Sequence, residues 1–155
     1  MELQYFGANC LKFNTKKSSV VIDPTSDITT IKVDLKKVNT VLATQPSLRP
    51  VEYTEVFLVD GPGEYEFEDY SVKGIAAQSH VAPSGDKSVT MYWITVNDTK
   101  ILVTGHIAPK LSEEQLEAIG VVDVLVVPVG GGGYTLDGVN AAAVTRAIEP
   151  KMVIP

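Results

Sequence analysis

The chain has 155 residues, 45% of them hydrophobic and 21% charged, the size and balance of one globular domain that buries its own core. Its 13 basic and 19 acidic residues leave a net charge of −6, and the only arginines are Arg49 and Arg146. There is therefore no concentrated basic face of the kind nucleic acid requires. No apolar run reaches the length of a membrane span, residues 1–5 lack the regions of a signal peptide, and Cys10 has no second cysteine to pair with. These features predict a cytoplasmic protein with neither a nucleic-acid nor a membrane partner.

Leu3–Phe6, Leu11–Phe13 and Val20–Ile22 read as short strands, with Thr15-Lys16-Lys17-Ser18 as a hairpin connection. Asp23-Pro24 ends the third, because proline has no ladder donor and the aspartate can fold back in a turn. Ser26–Lys37 is polar and mixed, expected to be loop with at most a short helical turn. Val41–Ala43 and Val56–Val59 read as buried strands separated by a proline-containing segment, and Asp60-Gly61-Pro62-Gly63 as a turn.

In Glu64-Tyr65-Glu66-Phe67-Glu68 the period of two puts both rings on one face and the glutamates on the other. A solvated face explains these acids better than calcium, since the EF-hand spacing is absent. Tyr70–Ala77 is the expected partner strand. Val89–Val96 and Lys100–Thr104 form a predicted hairpin around Asn97-Asp98. Trp93, with Tyr92 and Ile94, fits core and interface packing.

Ser112-Glu113-Glu114-Gln115 is a capping-box pattern, predicting a helix to about Ile119 that stops at Gly120. A buried strand within Val121–Val129, the run Gly130–Gly133, a helix from about Leu136 or Asp137 to Ile148, and a strand from Met152 complete the chain. Hairpins followed by strand-helix-strand units predict a layered α/β fold in a single domain spanning residues 1–155.

Three segments together resemble one branch of the metallo-β-lactamase fold superfamily, the small bacterial metal-dependent hydrolases similar to ascorbate-6-phosphate lactonase. They are Gly61-Pro62-Gly63-Glu64-Tyr65-Glu66, the run from Leu111 through Gly120, and Val122-Asp123-Val124 through Gly133-Tyr134-Thr135-Leu136-Asp137. Gln4-Tyr5-Phe6-Gly7-Ala8-Asn9-Cys10 and Val20-Val21-Ile22-Asp23-Pro24 fit the same branch. The resemblance implies an αββα sandwich and leaves open whether it is complete at its C-terminal end.

The family's signature is His-x-His-x-Asp-His after a buried strand. Residues two apart on extended backbone point the same way, so two imidazoles can meet one ion. Metal-bound water then attacks an ester, lactone or phosphoester. Here the four ligand positions fall on Gln45, Ser47, Arg49 and Pro50, none of them a good metal donor. A later family histidine aligns with Ser79, one residue before His80, and the bridging aspartate aligns with His106. The final family histidine follows the strand at Met152, past Pro155.

The resemblance thus implies a degenerate metal site and a non-catalytic protein, with no cofactor expected, that binds a small molecule or a protein. Its cleft would be lined by Asp23, Gln45, Ser47, Arg49, Ser79, Gly130, Gly131, Gly132, Tyr134 and Asp137. The alternative is a divergent hydrolase of esters, lactones or phosphoesters holding Zn or Mn at His80 and His106 with Asp60, Asp23 or Gln45, against the plainer reading of both histidines as hydrogen-bonded remnants. A third is homo-oligomerisation that covers exposed sheet edges. Gly130–Gly133 lacks the lysine of a phosphate loop and reads as a flexible cleft rim. Cys10 reads as a small buried apolar residue.

Overall fold

Among the described residues, eleven strands form two sheets whose facing sides share an apolar core. The computed structural model describes residues 1–24, 33–50, 55–80 and 87–155. The first sheet runs in the order β1 (Glu2–Gly7), β2 (Cys10–Asn14), β3 (Ser19–Ile22), β4 (Thr40–Leu42), β5 (Phe57–Val59). The second comprises β6 (Gly63–Glu66), β7 (Tyr70–Gln78), β8 (Ser88–Val96), β9 (Thr99–Val103), β10 (Val124–Val126) and β11 (Met152–Ile154), with β11 and β6 at its edges. Each sheet is antiparallel where hairpins connect it and parallel where the chain crosses over, at β3-β4-β5 and at β9-β10-β11.

The period of two sorts the core. Leu11, Phe13, Val20, Ile22 and Leu42 of the first sheet meet Val72, Tyr92, Ile94, Ile101 and Val103 of the second. The alternate residues of the second sheet, Ile75, Met91, Leu102 and Leu125 among them, face the other way. There they pack under Ile119 of α1 (Glu113–Ile119) and under Ala141, Val144 and Ile148 of α2 (Gly138–Ile148). Val21 and Val41 turn outward from the first sheet beneath Val33, Leu35 and Val38. Both helices among the described residues cover the second sheet. Most of the expected Ser26–Lys37 loop, residues 25–32, lies outside the described residues, as do 51–54 and 81–86.

Local chemistry sets the connections. In α1 the Ser112 hydroxyl accepts from the Gln115 amide while the Gln115 side chain accepts from the Ser112 amide, the predicted reciprocal cap. The carboxylate of Asp137 caps α2 by accepting from the Asn140 amide at 2.8 Å. Asn97 and Asp98 both have positive φ, 48° and 62°, the two-residue turn whose twist matches a hairpin. Ala8 and Asn9, at 47° and 67°, make the same turn between β1 and β2.

One side chain joins the sheets directly. The hydroxyl of Tyr92, fully buried on β8, lies 2.9 Å from the Ala43 carbonyl and 3.1 Å from that of Val59, just past β4 and at the end of β5. Burial raises its pKa and keeps it a donor. Val59 also accepts from the Ala43 amide, so Tyr92→Phe strands chiefly the Ala43 carbonyl. The expected cost is about 1–3 kcal/mol of unfolding free energy, read as a lower urea midpoint with an unchanged denaturant slope.

Candidate functional site

The site is built where β3, β4 and β9 end. Asp23 follows β3 with φ 45°, a left-handed conformation tolerated by aspartate better than by most residues, and its side chain is fully buried. Instead of capping its own turn, the carboxylate reaches across two connections. Oδ1 accepts from the Thr44 amide at 2.7 Å, and Oδ2 accepts from the Thr44 hydroxyl at 2.6 Å and from the Asn9 amide group at 2.5 Å. Burial pushes the Asp23 pKa up to about 6, against the opposing pull of these donors from Thr44 and Asn9.

Thr44 carries the link to the second sheet. Its carbonyl accepts from the Thr90 amide of β8 at 2.8 Å. Gly105 packs so closely that a Cβ there would lie 2.9 Å from the Thr44 Cβ, and its φ of 64° is in the left-handed region that favours glycine. Gln45 and His106 follow these two contact residues, so the ends of β4 and β9 bring them to the same place in the fold. Both are nine-tenths or more buried. Neither amide atom of Gln45 has a hydrogen-bond partner in the protein, nor does Nδ1 of His106 or Oδ1 of Asn9. Buried polar atoms left unpaired cost free energy and call for a partner.

His106 stacks on Tyr134, ring centroids 4.2 Å apart and planes 23° from parallel. Burial lowers its pKa to about 4, so the imidazole is neutral at physiological pH. Next to it opens a cleft of about 380 Å³, lined by Tyr5, Asn9, His106, Val129, Tyr134 and Thr135 with Gly130 and Gly131. The glycine run is tied down: the Gly130 amide donates to the Thr135 hydroxyl at 2.7 Å and the Gly131 amide to the Leu136 carbonyl at 3.1 Å. These bonds give the expected loop a folded turn, with φ positive at Gly131, Gly132 and Gly133.

The sequence residues separate into three groups. His106, Gly130, Gly131 and Tyr134 line the cleft, Gly132 does not, and Asp23 and Gln45 are buried just past the ends of β3 and β4. Arg49 and Asp60 are half-exposed and joined by an ion pair of 2.8 Å, with Ser47 exposed on the intervening turn (Pro46–Leu48). Asp137 is spent on capping α2. Ser79 bridges to Ile107 and the His80 amide donates to the His106 carbonyl at 2.9 Å, so the two histidines are backbone neighbours. Cys10 is buried, and that burial, with the Asp23 charge, pushes its thiol up to about 12, far from a nucleophile.

Asn9, Thr44 and Thr135 were not legible as site residues. For Asn9 a signal existed, since Ala-Asn between two strand patterns fits a turn with two positive φ values.

The sequence matches the family described as the beta-lactamase superfamily domain over residues 2–155. The chain belongs to that superfamily. Among solved structures, a candidate Zn-dependent hydrolase of the metallo-beta-lactamase superfamily from Thermotoga maritima superposes with a TM-score of 0.71 at 23% identity. That match covers 99% of this chain and 73% of the other. Igni18, a metallo hydrolase from the archaeon Ignicoccus hospitalis, gives 0.68 at 16% identity, covering 99% of this chain and 80% of its own. An isothiocyanate hydrolase from Delia radicum gut bacteria gives 0.68 at 11%, covering 99% and 83%. At these identities the likeness is one of fold. The sequence finds no match among curated proteins.

The described side chains at the motif positions are poor donors for a dinuclear metal centre. Among the described residues no three His, Cys, Asp or Glu side chains gather as metal donors. Gln45 offers a weakly binding amide, Pro50 nothing, and Arg49 a fixed cation.

Asp23 and His106 give opposite pH signatures. Asp23 holds its proton to about pH 6 when folded but only to 3.8 when unfolded, so its contribution to stability falls as pH rises through that interval. The full change is about 3 kcal/mol. His106 titrates near 4 when folded and 6.5 when unfolded, so its contribution is lost as pH falls across a similar range. Asp23→Asn removes the first component alone. The wild-type minus Asp23→Asn difference in unfolding free energy, from urea titrations, is expected to decline steadily from pH 4 to 6. A flat or rising difference excludes a buried, protonated Asp23.

Proposed function

We propose that this chain is a non-catalytic member of the superfamily that has lost its dinuclear metal site and binds a small molecule in the remaining cleft. One observation carries the reading: at the four positions of the family's metal motif stand Gln45, Ser47, Arg49 and Pro50, and the Arg49 guanidinium is committed to Asp60 at 2.8 Å. A cation fixed at a metal-motif position opposes a second cation by charge, and none of the four side chains supplies an imidazole or carboxylate. The cleft of about 380 Å³ beside His106 and Tyr134 supports a small molecule as the occupant. A single buried cysteine agrees with a reducing, cytoplasmic setting, and no helix among the described residues is long and apolar enough to cross a membrane.

The rival reading is a divergent hydrolase with one Zn or Mn ion at His80 and His106. In its favour, the two residues are backbone neighbours and Nδ1 of His106 is unpaired. Elemental analysis after chelator-free purification decides between them. The expected result is Zn and Mn well below one equivalent, unchanged by His106→Ala. Near-stoichiometric metal that disappears in His106→Ala establishes the hydrolase reading instead.

Self-association is a separate proposal, favoured by Met152 and Val153 on the edge strand β11, which are 59% and 39% exposed. It predicts a concentration-dependent dimer in sedimentation velocity that Val153→Lys dissociates. A monomer at every concentration rules it out.

A further inference from the structure

A second hollow opens at the opposite end of the sandwich, and aromatic rings wall it. Thr40, Phe57 and Tyr70, the first residues of β4, β5 and β7, line it together with Phe67, Glu68 and Lys17. Strand β9 runs in the same direction as β7, and His106 with its cleft lies past the far end of β9. The hollow has a volume of about 320 Å³ and sits between β5, an edge strand of the first sheet, and the β6–β7 turn of the second.

The rings lead from the core out to solvent. Tyr70 is buried, with its hydroxyl 2.5 Å from that of Thr40. Phe67 stacks on Tyr70 with centroids 4.5 Å apart, and Phe57 stands across Phe67 at 5.5 Å with planes 78° from parallel. Phe67 packs on the core between the sheets, but Phe57 joins none of the three apolar clusters of the described residues and is 55% exposed. Its backbone is fixed all the same, the amide donating to the Asn39 carbonyl at 2.8 Å. Two rings nearly at right angles offer a cation a corner, because a ring face carries the negative part of the quadrupole.

Charge at the hollow points the same way. Glu68 and Asp69 follow Phe67 in the turn, two carboxylates against the single ammonium of Lys17. Lys17 already donates to Oε1 of Glu68 at 2.8 Å, and Asp69 accepts from the Ser18 hydroxyl at 2.5 Å. An incoming primary ammonium would exchange its hydrogen bonds to water for acceptors that are already engaged. A quaternary ammonium has no N–H to satisfy, so ring faces and a nearby negative field suffice. The chain's net charge of −6 draws cations at long range. We propose that this hollow binds a small molecule bearing a quaternary ammonium group, with Phe57 and Phe67 supplying the surface it touches and Glu68 and Asp69 the opposing charge. The site is separate from the cleft and does not rest on the binding reading above.

Choline and 3,3-dimethyl-1-butanol, its uncharged carbon isostere, have the same shape and isolate the contribution of the charge. Each is titrated into the ¹⁵N-labelled full chain at pH 7 and constant ionic strength while two-dimensional amide spectra are recorded. Choline is expected to move the Phe57, Phe67 and Glu68 amide resonances and to bind more tightly than the isostere by about fivefold. Phe57→Leu keeps an apolar side chain but removes the ring face. It is expected to weaken choline by about two- to fivefold and the isostere less, its own spectrum reporting that the variant is folded. Lys17→Gln removes the competing ammonium and is expected to tighten choline. The inference is overturned if the isostere binds as tightly as choline, if Phe57→Leu leaves choline affinity unchanged, or if millimolar choline moves none of these resonances.

Discussion

A carboxylate removed from water holds the working end of this molecule together. Asp23 receives three donors, two from Thr44 and one from Asn9, so a single side chain fixes the turn after β1, the end of β3 and the end of β4. Removing a carboxyl from water is costly unless hydrogen bonds replace hydration, and here they do so only in part, as its elevated pKa records. The arrangement is stable because the donors sit on elements already positioned by the apolar core between the sheets. The cleft inherits this order, because Asn9, one of its lining residues, is held by Asp23.

The layered architecture could be read from the residues because it depends on short-range rules. Alternation in Glu64–Glu68, the continuous apolar runs of β3 and β4, the Ser112–Gln115 cap and Asn97-Asp98 each name an element with its own physical cause. Boundaries moved by a residue or so, as at Val41–Ala43, where Ala43 leaves the ladder yet still donates to Val59. What could not be read was Asp23. Asp-Pro at a strand end suggests a local turn, but the nearest competing donors lie fourteen and twenty-one residues away, and only the folded chain brings them within reach.

The site was half legible for the same reason. A motif read by position names the residues that stand there, Gln45, Ser47 and Arg49, without saying what those side chains do. Arg49 proved to be paired with Asp60, Asp137 to be a helix cap, and the glycine run a pinned turn. His106 was singled out by its place in the motif, but its neutrality follows from burial and its partner is an aromatic ring. Such properties arise from tertiary packing and have no counterpart in residue spacing.

The contact between Thr44 and Thr90 has a wider consequence. It runs from main-chain carbonyl to main-chain amide across the gap separating the two layers. Apart from proline, which has no amide hydrogen, any residue could occupy either position without removing the atoms that meet there. A stitch of that kind is indifferent to which functional groups surround it. Side chains beside it can change while the main chain keeps this join between the layers.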